Sequence, residues 1–430
     1  MPRDQVKVIG HSPASPEAVW AVAGDFCGQW HPAIATIRAE RDGRGSLIRA
    51  FTVHGEDTLY REQRTWFSDS DRTIGYTHLQ GIADVDAYDA HLAIAEAEQG
   101  GSSILWSATI SAPASRLTAI REGTKAIFEA GIAALSEQAR HGEAATPDAK
   151  LPAVAPVENL AFGERPRLAL SVTPPKDGPL CLFLHGIGGA RGNWLRQLAA
   201  AGNVMRAAAL DLRGYGDSTL GPRQSTVDDY CADILRVREA LGADRLVLAG
   251  LSYGSWIATS FAMRHPELLA GLVLSGGCTG MSEAEPAERE AFRVSREVPL
   301  DAGQAPVDFA PGVVKVLAGP NAPEEVRTRL FDSMAAIPAT TYRDALVCFT
   351  SPRERFDFSR LTMPVLMMTG EHDRLAPPAE IRGVASRVLT QARMADMRYE
   401  TIADAGHVCN VERPEIYNRI LLDFLGRLSQ

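Results

Sequence analysis

The sequence predicts two domains of different class, an α+β domain followed by an α/β domain with a helical cap. In the first third of the chain, apolar residues alternate with period two and then give way to one long amphipathic stretch, which is typical of an antiparallel sheet packed on a long C-terminal helix. Later, short continuous apolar runs are each followed by a glycine or a helical segment, which is typical of a mostly parallel sheet covered on both faces. Between them lies an Ala/Pro-rich stretch without apolar periodicity, which predicts a linker. We therefore predict domains at 1–141 and 157–430, joined by a linker at 142–156.

The first domain is predicted from a short helix, several strands and a final helix. "SPE" before residues 16–23 is a typical helix start, because proline fits the first turn. In "SILWSATIS", Ile104, Trp106, Ala108 and Ile110 alternate as in a half-buried strand, and 59–67 and 72–81 are further candidates. The long helix is predicted from apolar residues at three- and four-residue steps, all expected on one buried face: Leu117, Ile120, Ile127, Phe128, Ile132 and Leu135.

The second domain is predicted from apolar runs separated by helical stretches. The predicted strands are 180–186, 207–214, 245–250, 271–277, 364–370 and 398–402. Between about 280 and 360 the strands stop and charge-rich helical segments appear, which predicts a helical cap over the strand ends. "PEIYNRILLDFLGRL" predicts a last amphipathic helix.

Composition and charge exclude several classes of function. The chain has 430 residues, a formal net charge of −9 and no basic block, which disfavours a nucleic acid or an acidic membrane as partner. The six cysteines are scattered without a C-x-x-C pair, so we expect no metal site, no cofactor and a reducing compartment. The first residues lack a signal-peptide pattern, and every apolar run is well short of the ~20 residues that span a bilayer. We expect a cytoplasmic protein and leave open whether it forms a homo-oligomer.

Ser252 is the candidate nucleophile. "GLSYGSW" places it in a G-x-S-x-G pattern between a predicted strand and a predicted helix. In that context a sharp turn presents the hydroxyl at the carboxyl edge of the sheet, beside a helix N-terminus. The five-residue pattern is weak by itself, and the alternative is a turn serine that caps the following helix.

A serine hydroxyl needs a base, and the chain order expected here is serine, acid, histidine. "IADAGHVCNVERPE" places His407 in a loop before the last helix, and the alternative for it is a solvent-exposed loop histidine. "TGEHDRLAPP" offers two carboxylates after the preceding strand, Glu371 and Asp373. We favour Asp373 as the acid that would fix the tautomer of His407 and stabilise its imidazolium form.

Two backbone N–H groups are candidates for binding the developing oxyanion. One belongs to Tyr253, directly after the nucleophile, and the other to Ile187 in "LHGIGG", whose glycines allow close approach of the backbone. That segment lacks the G-K-[ST] ending of a phosphate loop. We expect His185 to be a structural hydrogen-bonding residue, and "DLRGYGDS", with Arg213 and Asp217, to be scaffold.

With these segments in order, residues 157–430 resemble the α/β-hydrolase superfamily. The motifs that carry the resemblance are "LHGIGG", "DLRGYGDS", "GLSYGSW", "GEHDRLAPP" and "AGHVCNVERPE", and the last is similar to enol-lactone hydrolases and carboxylesterases. The resemblance implies Ser252 as nucleophile, Asp373 as acid and His407 as base, with Ile187 and Tyr253 as oxyanion donors. It also implies that the cap shapes the pocket. Serine at the turn disfavours the haloalkane dehalogenase and epoxide hydrolase branches, which use a carboxylate there.

Residues 1–141 resemble the SRPBCC or START-like helix-grip domains, including polyketide cyclase-like ones. The resemblance rests on "SPASPEAVW" with "WHP", followed by strands and the long helix. It implies an apolar cavity without a fixed catalytic set. We name five candidate lining side chains without a catalytic role: Trp30, His31, Tyr60, Tyr76 and His78.

The predicted function is a serine hydrolase that cleaves a carboxylic ester or lactone of a small hydrophobic compound, with an enol-lactone among the candidates. One alternative is a cyclase-like or hydrophobic-ligand-binding protein that acts through the N-terminal cavity. A second is a C–C bond hydrolase that uses the same triad on a diketone, and a third is a ligand receptor on a hydrolase scaffold. The fusion of the two domains suggests that the first handles a compound whose ester or lactone the second opens.

Overall fold

The computed structural model describes residues 2–141, 155–353, 355–392 and 396–428. They form two compact units, one of 2–141 and 396–400 and the other of 155–353, 355–392 and 401–428. The predicted linker, 142–156, lies outside the described residues except for Ala155 and Pro156.

The first unit is an antiparallel sheet with two helices. Its strands lie in the order β1-β7-β6-β5-β4-β3-β2, each antiparallel to its neighbours. The elements are β1 (Arg3–Ser12), α1 (Pro16–Ala23), β2 (Ile34–Arg41), β3 (Leu47–Val53), β4 (Tyr60–Ser68), β5 (Thr73–Gln80), β6 (Ala87–Glu96), β7 (Ser102–Ser111) and α2 (Ala114–His141).

Sequence patterns explain how these elements begin and which faces they bury. The Ser15 hydroxyl accepts a hydrogen bond from the N–H of Ala18 and caps α1, as the "SPE" pattern predicts. Strand β7 alternates buried and half-buried residues along its whole length, which confirms the period-two interpretation. On α2, Phe128 is buried and stacks on Trp106 with ring centroids 4.5 Å apart. The prediction for Ile127 was wrong: it is 43% exposed, because consecutive helical residues point about 100° apart.

The first unit contains a buried ion pair. Arg49 and Glu62 pair at 2.6 Å inside the unit, and the Arg49 guanidinium lies 4.6 Å from the ring centres of Phe26 and Tyr76.

The segment 396–400 also belongs to the first unit. Two of its residues pair in parallel with β4. The first unit therefore includes residues 396–400. This differs from the domain boundaries predicted from the sequence, in which all of 157–430 belongs to the second domain.

The second unit is a mostly parallel sheet flanked by helices. Its sheet has the order β14-β13-β12-β10-β11-β9-β8, in which only β8 and β9 run antiparallel to their neighbours. The strands are β8 (Glu158–Phe162), β9 (Leu168–Val172), β10 (Leu180–Leu184), β11 (Ala207–Asp211), β12 (Leu246–Leu251), β13 (Leu269–Ser275), β14 (Val365–Gly370) and β15 (Met397–Ile402), whose last two residues belong to this unit. The residues of β9 to β14 are buried throughout, as expected of strands covered on both faces.

Helices connect these strands, and four of them form the predicted insertion. The framework helices are α3 (Leu195–Ala201), α4 (Val227–Ala240), α5 (Tyr253–Arg264), α10 (Pro378–Gln391), α11 (Cys409–Glu412) and α12 (Pro414–Gly426). The insertion between β13 and β14 contains α6 (Pro286–Asp301), α7 (Pro306–Leu317), α8 (Glu324–Ala335) and α9 (Ala339–Thr350). In the described part of the chain, no helix has the length and apolar character needed to cross a membrane.

Candidate active site

Ser252 occupies a strained turn between β12 and α5. Its φ is +54° and its ψ is −114°, a backbone conformation that costs free energy for a residue with a Cβ atom. The turn is held by hydrogen bonds: the Ser252 N–H donates to the Ser275 carbonyl at 2.8 Å, and its own carbonyl accepts from the N–H groups of Ser255 and Trp256. The side chain makes no capping hydrogen bond to α5. Ser252 therefore has a strained backbone, and its hydroxyl does not cap the following helix as the alternative interpretation predicts.

The two glycines of the G-x-S-x-G pattern are required by close backbone contacts. A Cβ atom on Gly250 would lie 2.4 Å from the backbone of Gly254, and one on Gly254 would lie 2.1 Å from the Leu184 carbonyl oxygen. Both distances are far below any van der Waals contact, so a larger residue at either position would push α5 away from the sheet. The pattern thus has a steric cause in this fold.

His407 and Asp373 form a buried hydrogen-bonded pair. His407 Nδ1 lies 2.9 Å from Asp373 Oδ2 and 3.0 Å from Oδ1. Both residues are only 4% exposed, so His407 is not the exposed loop histidine of the alternative interpretation. Because the carboxylate can only accept, Nδ1 carries the proton and Nε2 is left as the basic nitrogen. Glu371, the other candidate acid, is exposed and accepts the N–H of Asp404.

Backbone donors hold the Asp373 carboxylate in place. Its Oδ1 accepts the N–H groups of Leu375 at 2.8 Å and Ala376 at 2.9 Å. Burial acts to raise the pKa of Asp373, but the hydrogen bond and charge of His407 and these two N–H donors outweigh it, so the pKa is lowered. The carboxylate is therefore ionised and fixed in orientation at neutral pH.

Glu412, for which the sequence predicted no role, holds the loop that carries His407. Its carboxylate accepts the N–H of Gly406 at 3.1 Å and that of Gly319, next to the insertion helix α7, at 2.8 Å. The His407 N–H itself donates to the Leu317 carbonyl at 2.7 Å. Burial raises the pKa of Glu412, and the two N–H donors oppose that shift. The His407 loop is thus anchored to the insertion as well as to the sheet.

Gly276 and Gly277, which follow β13, lie beside both candidate catalytic side chains. A Cβ atom on Gly276 would lie 3.1 Å from Cε1 of His407, and one on Gly277 would lie 3.8 Å from Cα of Ser252. Ser252 and His407 also line the same cavity. The structure therefore brings the three residues predicted from chain order into one region of the second unit.

The two predicted oxyanion donors border this cavity as well. Ile187 and Tyr253 both line it, and the loop after β10 approaches the nucleophile so closely that a Cβ atom on Gly186 would lie 3.5 Å from Cβ of Ser252. Tyr253 is the first residue of α5, so its N–H has no partner within the helix. The Gly186 carbonyl, in the same peptide as the Ile187 N–H, accepts the N–H of Gly189 at 3.0 Å, and the Ile187 carbonyl accepts the Tyr215 hydroxyl at 3.0 Å.

The polar residues of the neighbouring sequence motifs have structural partners. His185 is fully buried between two backbone groups, with Nδ1 2.8 Å from the Gly186 carbonyl and Nε2 accepting the N–H of Leu212 at 3.1 Å. Burial lowers the pKa of His185, which keeps it neutral. Arg213 pairs with Asp233 of α4 at 2.8 Å, and Asp217 pairs with Arg191 at 2.7 Å. These contacts agree with the scaffold role predicted for them.

A cavity of about 830 Å³ lies over Ser252 and His407. All four insertion helices contribute to its wall, mainly through apolar side chains such as Phe292, Phe309, Val313, Met334 and Phe349. Its wall also contains polar residues that were not predicted from the sequence, among them Asn193, Glu288, Arg296 and Glu380. No short motif marks them in the sequence, because their position depends on how the insertion folds back over the strand ends. The cavity suits a small, mostly apolar molecule with a few polar groups.

The five side chains proposed to line a cavity in the first unit are Trp30, His31, Tyr60, Tyr76 and His78. Three of them, at positions 30, 31 and 76, are buried in the apolar core. The Tyr76 hydroxyl accepts a hydrogen bond from the Trp106 indole at 3.0 Å, and His31 Nε2 lies 2.9 Å from the Ile127 carbonyl. Tyr60 is half-buried, and its hydroxyl donates to Glu56. His78 Nε2 accepts the N–H of Ile82 at 3.1 Å. These hydrogen bonds all lie within the first unit, and the lining of a cavity by the five side chains stays a prediction.

Models of two protein families match this chain, one in each unit. A family model described as the alpha/beta hydrolase fold matches residues 179–414, and one described as polyketide cyclase / dehydrase and lipid transport matches residues 5–140. A curated relative, a putative carbamate hydrolase RutD from Enterobacter cloacae, is 29% identical over 273 residues, which is 61% of this chain and 97% of that protein.

Solved structures give the same result for the second unit. A thermophilic esterase from Thermogutta terrifontis is 25% identical with a TM-score of 0.55, and covers 64% of this chain and all of its own. The enol-lactonase from Burkholderia xenovorans LB400 is 21% identical with a TM-score of 0.51, and covers 60% of this chain and 96% of its own. At that identity the enol-lactonase shows a shared fold only.

Proposed function

The chain belongs to the alpha/beta hydrolase fold family over residues 179–414, and from this premise we propose that it is a serine hydrolase of carboxylic esters or lactones. Its family relatives are hydrolases, among them an esterase and a putative carbamate hydrolase. The observation that carries the finer proposal is the combination of a strained serine with a buried Asp373–His407 pair at one cavity. The comparisons support the reaction class, and the geometry supports the assignment of roles to residues.

In the proposed reaction, Ser252 Oγ attacks the substrate carbonyl while His407 Nε2 takes its proton. The carbonyl oxygen becomes an oxyanion, for which the N–H groups of Ile187 and Tyr253 would be the donors. When the C–O bond to the alcohol breaks, His407 returns the proton to that alcohol and an acyl-serine remains. A water molecule then gives a proton to His407 and attacks the acyl carbon. The bond between that carbon and Ser252 Oγ breaks, His407 returns the proton to Oγ, and the carboxylic acid is released. Asp373 keeps the His407 tautomer throughout and stabilises its cationic form.

A turnover panel tests this proposal. The full-length chain is assayed on aryl esters, lactones, enol-lactones, an aryl carbamate and a β-diketone, and Ser252→Ala is compared with a matched serine-to-alanine variant at Ser386. Ser386 is exposed on the framework helix α10, and its hydroxyl donates to the Arg382 carbonyl of the same helix. We expect Ser252→Ala to lose at least about 10³-fold in kcat/KM on the esters or lactones and Ser386→Ala to keep its activity within a few-fold. Equal activity of Ser252→Ala and wild type on every ester and lactone would refute the proposal, and turnover of the diketone alone would favour the C–C hydrolase.

The N-terminal unit carries a second proposal, which is the binding of a hydrophobic compound. Its support is the match of residues 5–140 to a family whose description includes polyketide cyclase and lipid transport. To separate the two units, binding of a fluorescent apolar probe is measured on full-length Ser252→Ala with and without Gly312→Trp. This change adds a large side chain to the wall of the second-unit cavity at a position where a Cβ atom would have no neighbour within 4 Å. Probe binding that survives this change supports the N-terminal unit as the binding site, whereas complete loss assigns the binding to the second unit.

A further inference from the structure

Arg296 is a cation in the wall of the cavity that has no anionic partner in the described part of the chain. It is half-buried on the insertion helix α6, with its guanidinium carbon 3.4 Å from the ring centre of Phe292. Its Nη1 donates to the Phe292 carbonyl and to the Ser295 hydroxyl, each at 3.1 Å, and the Tyr342 phenol, which lines the same cavity, acts to raise the pKa of Arg296. All of these acceptors are neutral, and burial raises the pKa of Tyr342, which keeps the phenol protonated.

Two other arginines of the insertion pair with carboxylates, in contrast to Arg296. On the same helix, Arg293 pairs with Glu290 at 2.6 Å. Arg343 of α9 pairs with Asp301, the last residue of α6, at 2.6 Å. Carboxylates are therefore abundant around this helix, yet none of those described lies within 4.0 Å of the Arg296 guanidinium. A cation that is partly removed from water without a counter-ion is unfavourable, and burial accordingly lowers the pKa of Arg296.

The other charged residues of the cavity wall do not supply the missing anion. Among the described residues, Arg296 is the only arginine or lysine that lines the cavity, together with the carboxylates of Glu283, Glu288 and Glu380. The Glu283 carboxylate is occupied by both terminal nitrogens of Arg387, at 2.6 and 2.9 Å. The Glu288 and Glu380 residues are exposed, so solvent screens their charges. The cation is thus left facing a mostly apolar cavity that also contains Ser252.

We propose that Arg296 binds a carboxylate on the substrate, so that the hydrolysed compound is an ester or lactone of an acid that carries a second, free carboxylate. This inference rests on the proposed function, because it concerns the substrate that Ser252 would attack. A planar guanidinium suits a carboxylate, since two of its N–H groups can donate in parallel to the two oxygens. Phe292 stacks against the guanidinium face and Nη1 donates to the Phe292 carbonyl and the Ser295 hydroxyl, so Nε and Nη2 would be the donors of such a pair.

Hemiesters of dicarboxylic acids test the inference. Initial rates are measured on 4-nitrophenyl hemisuccinate, hemiglutarate and hemiadipate, and on the methyl ester of each, which is neutral but otherwise matched. A cationic 4-nitrophenyl ester with a trimethylammonium group completes the set. We expect the wild type to prefer the hemiester of one chain length, and Arg296→Gln to reduce that preference about 10- to 100-fold by lowering kcat/KM for the hemiester only. Arg296→Lys should restore part of the preference, and the matched control Arg293→Gln should leave it unchanged.

Binding separates failure of this inference from failure of the proposed function. Glutarate and neutral glutaramide are titrated calorimetrically into full-length Ser252→Ala, with and without Arg296→Gln. If Arg296→Gln abolishes glutarate binding, the carboxylate site is supported even when no ester is hydrolysed. Failure to hydrolyse any ester would then refute only the proposed function. An unchanged hemiester preference in Arg296→Gln, an equal loss on hemiesters and methyl esters, or a wild-type preference for the cationic ester would overturn the inference.

Discussion

Replacing Asp373 by asparagine should disable His407 without unfolding the site. The two backbone N–H groups that hold Oδ1, at 2.8 and 2.9 Å, require a carbonyl oxygen at that position. The NH₂ group of asparagine must then occupy the position of Oδ2, 2.9 Å from His407 Nδ1. An amide N–H there favours the tautomer in which Nδ1 accepts and Nε2 carries the proton. In that tautomer Nε2 cannot take the proton of Ser252.

We therefore expect Asp373→Asn to lose about 10³- to 10⁴-fold in kcat/KM, equivalent to about 4–5 kcal/mol of transition-state stabilisation. The assay is initial-rate hydrolysis of the best substrate of the turnover panel. Because the pKa of Asp373 is lowered, the wild-type side chain is ionised from about pH 6 to about pH 9, and the loss should persist across that range. The matched control is Glu371→Gln, which changes a nearby but exposed carboxylate. Activity of Asp373→Asn within tenfold of wild type, or an equal loss in Glu371→Gln, would refute the reasoning.

Three further changes test the structural supports. Gly254→Ala should yield insoluble or inactive protein, because its Cβ atom would overlap a carbonyl of β10. The control Gly192→Ala, whose Cβ atom would have no neighbour within 4 Å, should stay soluble and active, and comparable behaviour of the two variants would contradict the steric explanation. Glu412→Ala removes the hydrogen bonds to Gly406 and Gly319 and should lower the free energy of unfolding, measured by denaturant titration, by about 2–4 kcal/mol. It should also lower kcat, and no change in either quantity would show that the anchor is dispensable. Arg49→Met leaves the buried carboxylate of Glu62 unpaired and should lower the free energy of unfolding by about 3–5 kcal/mol. The double variant Arg49→Met/Glu62→Leu should recover much of this loss, and an equally unstable double variant would refute the unpaired carboxylate as its cause.

The order of motifs along the chain was enough to predict the candidate site, because each motif reflects a local requirement. Ser252 stands at a turn whose glycines are required by backbone contacts within a few residues. Asp373 lies in the loop after β14 and His407 in the loop after β15, and functional side chains of an α/β fold collect in the loops at the carboxyl ends of its strands. The classes of both domains could be predicted for a similar reason, since period-two and continuous apolar runs report how many faces of a strand are buried.

What the sequence did not reveal depends on contacts between distant segments. Arg296 is one of many charged residues in the insertion, and its lack of a counter-ion is visible only when every nearby carboxylate has been located. Glu412 reaches Gly319 across 93 positions of sequence. The error at Ile127 has a local cause, because a list of apolar residues that includes two neighbours cannot lie on a single helix face.

The most direct test of the central claim is to trap the acyl-enzyme. The full-length protein is mixed with an aryl ester that it hydrolyses, quenched in acid within the first turnover, digested and analysed by mass spectrometry, with Ser252→Ala treated in parallel. The proposed mechanism predicts one acyl group per chain, attached to Ser252 and absent from the variant. Hydrolysis by the wild type with no acylated peptide and no burst of product, or an acyl group on another residue, would contradict it.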